Sequence, residues 1–368
     1  MSLAVRNLLA ERTRFVLSVL GVTVAVLLVL IMSGIFVGTT RQVTTYIDHS
    51  RNAVWVMQPG VSQMFKSVSW LPDDDEAKLM AVPEISSADP ILGLPSDFVR
   101  NGTHTAFFVV GYDTSTGVGG PWILAEGRTV EASGEVVLDR ALARINDVRI
   151  GDRVRIVDED FTVVGLSKQT AAATNFYSFI SLADAKRLLR AGDRVSYFLT
   201  QPKPGYSDED VVAAIGRDLP GVSALTSARF ADNSRDIIVK MIGRPLKTMI
   251  AIAVLVGTAL IGLTMWSVTA EQMADFGILR ALGVRPIQLS RIVIAQAAVV
   301  AALGFVIGGA VAFAAQFLIG DRMGDVVVAI TPTMLAAMAV ATAVMAALGA
   351  LLPLRRVSRI DPVTAFRR

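Results

Sequence analysis

The side chains able to do chemistry are few, and their spacing excludes more than it offers. The densest run is Pro72-Asp73-Asp74-Asp75-Glu76, followed by AKLMAV. Adjacent carboxylates invite calcium, but the tract lacks the spaced oxygen ligands and central glycine of a calcium loop. Acids in a first turn are favoured by the helix dipole, so the run predicts a helix start instead. The two histidines, His49 and His104, stand far apart, and the chain has no cysteine. Disulfides, thiolate metal sites, zinc clusters and histidine triads are therefore not expected. No Lys follows a Gly, so there is no G-x-x-x-x-G-K-[ST] phosphate loop. If nucleotide drives this protein, another polypeptide must bind it.

The elements that position these residues are read from hydropathy and charge. Of 368 residues, 53% are hydrophobic and 18% charged, against roughly 25% charged in an ordinary soluble protein. Residues 15–40, 248–270, 292–320 and 326–354 contain no Asp, Glu, Lys or Arg. Each exceeds the ~20 residues a helix needs to cross ~30 Å of hydrocarbon. The expected fold is a membrane α-helical protein with four spans, arranged one and then three, around a mixed α+β extracytoplasmic domain at 41–247. A cytosolic enzyme and a nucleic-acid-binding protein are excluded. A membrane enzyme is disfavoured, because no ionised side chain in the spans marks a buried reaction site.

Charge sets the orientation. Segments 1–14, 271–291 and 355–368 together hold eleven Arg against four acids, whereas 41–247 holds 23 basic and 26 acidic residues. Positive short segments stay in the cytoplasm and long domains cross regardless of charge. Both termini are thus expected inside, with a short outer loop at 321–325 and contact between the basic segments and anionic lipid. Residues 1–14 suit either an amphipathic helix on the inner surface or a solvated basic tail. Gly34 and Gly38 in span one, and Gly304 and Gly308 in span three, sit four apart. Such small residues let helices approach closely, within the chain or between two copies.

In the outer segment, Val54–Met57 and Phe107–Val110 read as buried strands. Glu135–Leu138 reads as a strand and Arg140–Ile145 as a helix. Arg153–Val157 and Phe161–Val164 alternate as a hairpin with one buried face. Phe179–Ile180 (strand), Leu182–Leu189 (helix), Val195–Leu199 (strand), Asp208–Arg217 (helix) and Val222–Leu225 (strand) complete it. Thr40–Asn52 and Arg229–Ile242 are expected to extend spans one and two as helical stalks, with Gly243 and Pro245 marking a bend. Thr331-Pro332 should cap and open span four.

The most informative segment joins spans two and three: Glu271, then Phe276-Gly277-Ile278-Leu279-Arg280-Ala281-Leu282-Gly283, then Pro286. It predicts a short amphipathic helix closed by a glycine turn, whose apolar side is suited to a groove in another protein. This segment resembles the coupling region of the MacB/FtsX-like superfamily of ABC transporter permeases. The ending Pro353-Leu-Arg-Arg with Ile360-Asp361-Pro362-Val363-Thr364-Ala365-Phe366-Arg367 is similar to the family's terminal pattern, with Phe366 where the family usually has Leu. The span order and the outer segments VRIGDRVRIVDEDFTVVGL and FISLADAKRLL also match, the latter resembling the MacB periplasmic core domain.

The resemblance implies a stand-alone permease subunit of the FtsX, LolC/LolE or DevC kind, in a bacterial plasma membrane. It would work as a homodimer with two copies of a separate ATPase that binds ATP and Mg, so the chain itself holds no cofactor, metal or catalytic residue. Glu271, Phe276, Gly277, Arg280, Ala281, Leu282 and Gly283 would couple ATPase closure to motion of the outer domain by mechanotransmission. The cargo would be a lipid, peptide or drug-like molecule, and a membrane-fusion or other outside protein is a compatible partner; nucleic acid is not. Alternatives are an FtsX-like regulator of a cell-wall hydrolase and an ABC importer permease. The importer motif is echoed by Glu271, Gly277, Ile287 and Leu289, but four spans and a large outer domain argue against it.

Overall fold

The computed structural model describes residues 12–50, 53–64, 68–100, 103–172, 175–323 and 328–358. Residues 1–11 of the expected N-terminal amphipathic helix, residues 324–325 of the short outer loop and the tail motif from Ile360 lie outside them. The chain divides into two compact units, one built mainly from residues 1–37, 242–321 and 328–368, the other from 38–241.

The helices in chain order are α1 Arg12–Gln42, α2 Thr45–His49, α3 Asp75–Met80, α4 Arg140–Ile145, α5 Leu182–Leu188, α6 Asp208–Asp218, α7 Ser227–Glu271, α8 Met273–Ala281, α9 Pro286–Met323 and α10 Pro332–Ser358. Among the described residues, α1, α7, α9 and α10 are long and apolar enough to span a bilayer. In lipid a spanning backbone must satisfy its own polar groups, which is why the apolar stretches become helices. The helices overrun the charge-free stretches, since a charge ends the apolar run without ending a helix. Span four is the exception. Its stretch begins at Val326, but its helix begins at Pro332, because the residue before a proline is pushed out of helical geometry. The Thr331 hydroxyl accepts the Met334 N–H at 3.3 Å. The preceding segment is pinned instead, with Ala329 N–H bonded to Gly34 O at 3.0 Å and Ile330 N–H to Gln316 Oε1 at 3.0 Å.

Small residues bring the spans together. A Cβ on Gly304 would lie 2.5 Å from Val22 Cγ1, and one on Gly308 would lie 2.8 Å from Thr23 O, so α9 meets α1 backbone to side chain. Gly262 and Gly349 make the same close approach between α7 and α10. Ser18 Oγ donates to Thr264 Oγ1 at 2.6 Å, a polar link between α1 and α7. The helix α7 is continuous through Gly243 and Pro245.

The outer unit is an 11-stranded mixed sheet. Its strands are β1 Val54–Met57, β3 Ile85–Arg100, β4 Thr103–Tyr112, β5 Leu124–Gly127, β6 Glu135–Asp139, β7 Arg153–Ile156, β8 Glu159–Ser167, β9 Ala171–Ala172, β10 Asn175–Ser181, β12 Tyr197–Pro202 and β13 Ser223–Thr226. The main path is β13-β1-β12-β3-β4-β10-β6-β8-β5, while β2 Leu71–Pro72 and β11 Arg194–Val195 pair separately. Alternation sorts the side chains of each central strand to two faces. Phe107 and Val109 pack with Leu142 of α4 and Ala185 of α5, while Phe108, Val110 and Tyr112 pack with Tyr46 of α2 and Phe230 of α7. Val54, Val56 and Phe198 meet α6 through Val211, Ala214 and Ile215. Both faces are covered, so the central strands are apolar throughout.

The 16-residue β3 was not anticipated. Its Pro90 and Pro95 read as strand breakers. The register resolves the conflict: residues 85–91 pair with β12 and 91–100 with β4. Each proline therefore has a ladder partner on one side only and forfeits no bond. The first stalk is also interrupted. Val43 and Thr44 form a turn between α1 and α2, where the Thr44 hydroxyl donates to Asp48 Oδ2 at 2.8 Å. Local side-chain bonding of this kind competes with helix continuation.

Candidate coupling site

The segment between spans two and three folds as a helix with a glycine exit. Gly283 sits at φ +90°, and the Val284 N–H reaches back to Leu279 O at 3.0 Å. This six-residue closure is what a left-handed C-terminal glycine permits. Pro286 then opens α9 at the position where a missing N–H costs nothing, and Gln288 Oε1 accepts the Arg285 N–H at 3.1 Å.

The apolar side of α8 is covered by the chain itself. Phe276 is 2% exposed and packs with Leu289 and Val293 of α9 and Val357 of α10, flanked by Met273, Leu279, Val284 and Leu354. Phe276, one of the expected coupling residues, therefore packs against its own bundle and anchors α8 there. The opposite side is bare. Ile278 is 52%, Leu282 77% and Ile287 63% exposed. Glu271, Ala281 and Gly283 are exposed and Gly277 is buried, while Arg280 occupies the penultimate position of α8. Ile278 and Leu282 are four apart and share one face.

At the other end of α7, its first turns are locked into the aromatic core of the outer unit. Phe230 stacks on Trp55, with ring centroids 4.9 Å apart, and Trp55 meets Tyr46 of α2 edge-on at 6.0 Å. The Tyr46 hydroxyl donates to Gly119 O at 2.8 Å. Asn233 Nδ2 donates to Ser62 O at 3.0 Å, and Arg235 reaches Thr44 Oγ1 at 3.4 Å. Burial pushes the Tyr46, Tyr177 and Tyr197 phenols up, so all three stay neutral and act as packing groups.

The model for the MacB-like periplasmic core domain matches residues 15–218, and that for the FtsX-like permease C-terminal region matches residues 247–362. The chain belongs to the MacB/FtsX-like ABC transporter permeases. Uncharacterized ABC transporter permeases of Mycobacterium tuberculosis and Mycobacterium bovis are each 23% identical to it over 370 residues, covering 99% of this chain and 98% of theirs. Among solved structures, the periplasmic region of MacB from Actinobacillus actinomycetemcomitans is similar with a TM-score of 0.38 and 13% identity, covering 50% of this chain and 92% of that one. The extracellular domain of the transporter YknZ from Gram-positive bacteria gives a TM-score of 0.38 and 10% identity, covering 48% of this chain and 100% of that one.

The permease is thus a membrane protein with an extracytoplasmic domain. Its four spacing glycines have separate surroundings. Gly304 and Gly308 are filled by span one of the same chain and leave no open notch for a second copy. Gly34 abuts Val328, and Gly38 is buried. Ile278 and Ile287, which are not among the expected coupling residues, are exposed as Leu282 is. The i, i+4 spacing of Ile278 and Leu282, opposite Phe276, was the available signal. Among the described residues no group of three or more His, Asp or Glu is placed to hold a metal. Asp75 and Glu76 lie in the first turn of α3, Asp75 pairs with Lys78, and Asp73 pairs with Lys186 at 2.6 Å.

Proposed function

We propose that the permease is the mechanical subunit of an ATP-driven transporter, receiving ATPase motion at the exposed face of α8 and delivering it to the outer domain through α7. The observation that carries this reading is the contrast between the welded Phe276 and the bare Ile278 on α8, continued by the exposed Leu282 just past its end and Ile287 at the start of α9. An exposed aliphatic patch on a charged loop is costly in water unless a partner covers it. The partner is a separate ATPase subunit in two copies, binding ATP and Mg. The permease acts as a homodimer in a bacterial plasma membrane with both termini inside, and moves a lipid, peptide or drug-like cargo outward.

Reconstituted permease should stimulate the ATPase activity of its partner. Ile278→Asp combined with Leu282→Asp should abolish that stimulation while changing stability by no more than ~0.5 kcal/mol, as for other surface substitutions. Phe276→Ala should instead cost ~3 kcal/mol of stability by opening a cavity. Undiminished stimulation by the double aspartate variant would overturn the assignment of this face.

A further inference from the structure

The outer unit contains a polar cavity of about 590 Å³ that the coupling mechanism does not use. Its walls come from the end of α1 (Arg41, Gln42), the end of α2 (His49), the start of α4 (Asp139, Arg140) and the loop after β8 (Lys168). Arg41, Arg140 and Lys168 are exposed, and among the described residues none of them has a carboxylate partner.

The one acid in the lining does not balance them. Asp139 is 3% exposed. Its Oδ1 accepts the Ala141 and Leu142 N–H groups at 2.7 and 3.4 Å, and its Oδ2 accepts the Thr170 hydroxyl at 2.5 Å. Burial also pushes its carboxyl up, which further weakens it as a counter-charge. Three uncompensated cations around one concave space are an electrostatic demand for an anion.

Two further groups narrow the ligand. Gln42 Oε1 is shielded from solvent and has no hydrogen-bond partner, so it can accept from a hydroxyl. His49 stacks on Trp122 at 5.1 Å and uses Nδ1 on Thr45 O at 2.8 Å, which leaves Nε2 free for the cavity. The volume is within the range of small-molecule sites. Arg41 and Gln42 directly follow the charge-free stretch of span one, which ends at Thr40. That places this wall at headgroup level, where arginine is well matched to phosphate oxygens.

We infer that this cavity binds a phosphate ester carrying a free hydroxyl, of the kind presented by a glycerophosphate headgroup. Arg41, Arg140 and Lys168 hold the phosphate and Gln42 accepts the hydroxyl. The same chemistry occurs in an anionic lipid and in a soluble glycerol phosphate. The inference does not depend on the ATPase partner.

Native mass spectrometry of the full chain in detergent, titrated with phosphatidylglycerol, phosphatidylcholine and phosphatidic acid, tests it, alongside calorimetry with glycerol 1-phosphate. Phosphatidylglycerol should bind about tenfold or more in preference to phosphatidylcholine, and Arg140→Gln with Lys168→Gln should erase the preference. Gln42→Leu should weaken phosphatidylglycerol while sparing phosphatidic acid, which lacks the headgroup hydroxyl. Tight binding of glycerol 1-phosphate without lipid selection, lost in the double variant, would support the chemistry with a soluble source. Equal binding of every ligand by wild type and double variant would overturn the inference. Lys168→Glu, a single exposed change, replaces the double variant if that one fails to fold.

Discussion

The two units of this permease are held together by opposite means. The outer unit packs Trp55, Tyr46, Tyr177, Phe179, Tyr197 and Phe230 into one aromatic core. The membrane unit closes its helices with Gly304 and Gly308 against Val22 and Thr23, and with Gly262 against Gly349. In water the gain is area removed from solvent, which favours the largest apolar side chains. In lipid, apolar area brings no such gain, and close approach of backbones takes its place. One chain thus pairs an aromatic core in the outer unit with an aliphatic membrane core whose helices approach at glycines.

The comparison breaks most visibly at Trp55. It is fully buried, so Trp55→Ala should cost ~3–5 kcal/mol, read as a lowered midpoint in urea unfolding followed by circular dichroism. The matching change in the membrane unit runs the other way, from small to large. Gly304→Leu would drive a side chain into Val22 and separate α9 from α1, costing ~1–3 kcal/mol, seen as a lower melting temperature in detergent. Gly304→Ala should cost less than the leucine but still force the helices apart, because its Cβ would lie 2.6 Å from Val22 Cβ, which moves only with the backbone.

The smallest effect separates surface electrostatics from both cores. Glu135 accepts both Arg128 guanidinium nitrogens, and those bonds hold its carboxyl down to about 2. A lowered carboxyl stabilises the fold above its unfolded value of ~4.3. The contribution therefore fades as pH falls from there through about 2. Arg128 is 44% exposed, so solvent screens the pair and the loss stays modest. Comparing acid unfolding of the wild type with Glu135→Gln measures it; identical curves between pH 5 and 2 would show that the pair contributes nothing.

Legibility in the sequence followed the same physics. Helix α4 was readable over its full length because charges and apolar residues fall at helical spacing after the capping Asp139. The spans were readable because nothing but a helix can cross lipid. Strand β3 was not, since whether a proline is tolerated depends on which neighbour occupies each side, and that is a property of the sheet. The coupling helix was legible as a helix, but its orientation was not. Periodicity distinguishes Phe276 from Ile278 and Leu282 without saying which side the rest of the chain will claim. The cavity beside Asp139 was invisible for a related reason, as its walls come from two separate stretches of the chain, within 41–49 and 139–171.

The anchoring of Phe276 has a consequence for how load enters the bilayer. That ring is clasped by Leu289 and Val293 of α9 and Val357 of α10, which ties α8 to both helices. A close-packed interior passes displacement on rather than absorbing it. On the proposed coupling mechanism, thrust applied at Leu282 passes through Phe276 to α9 and α10 together.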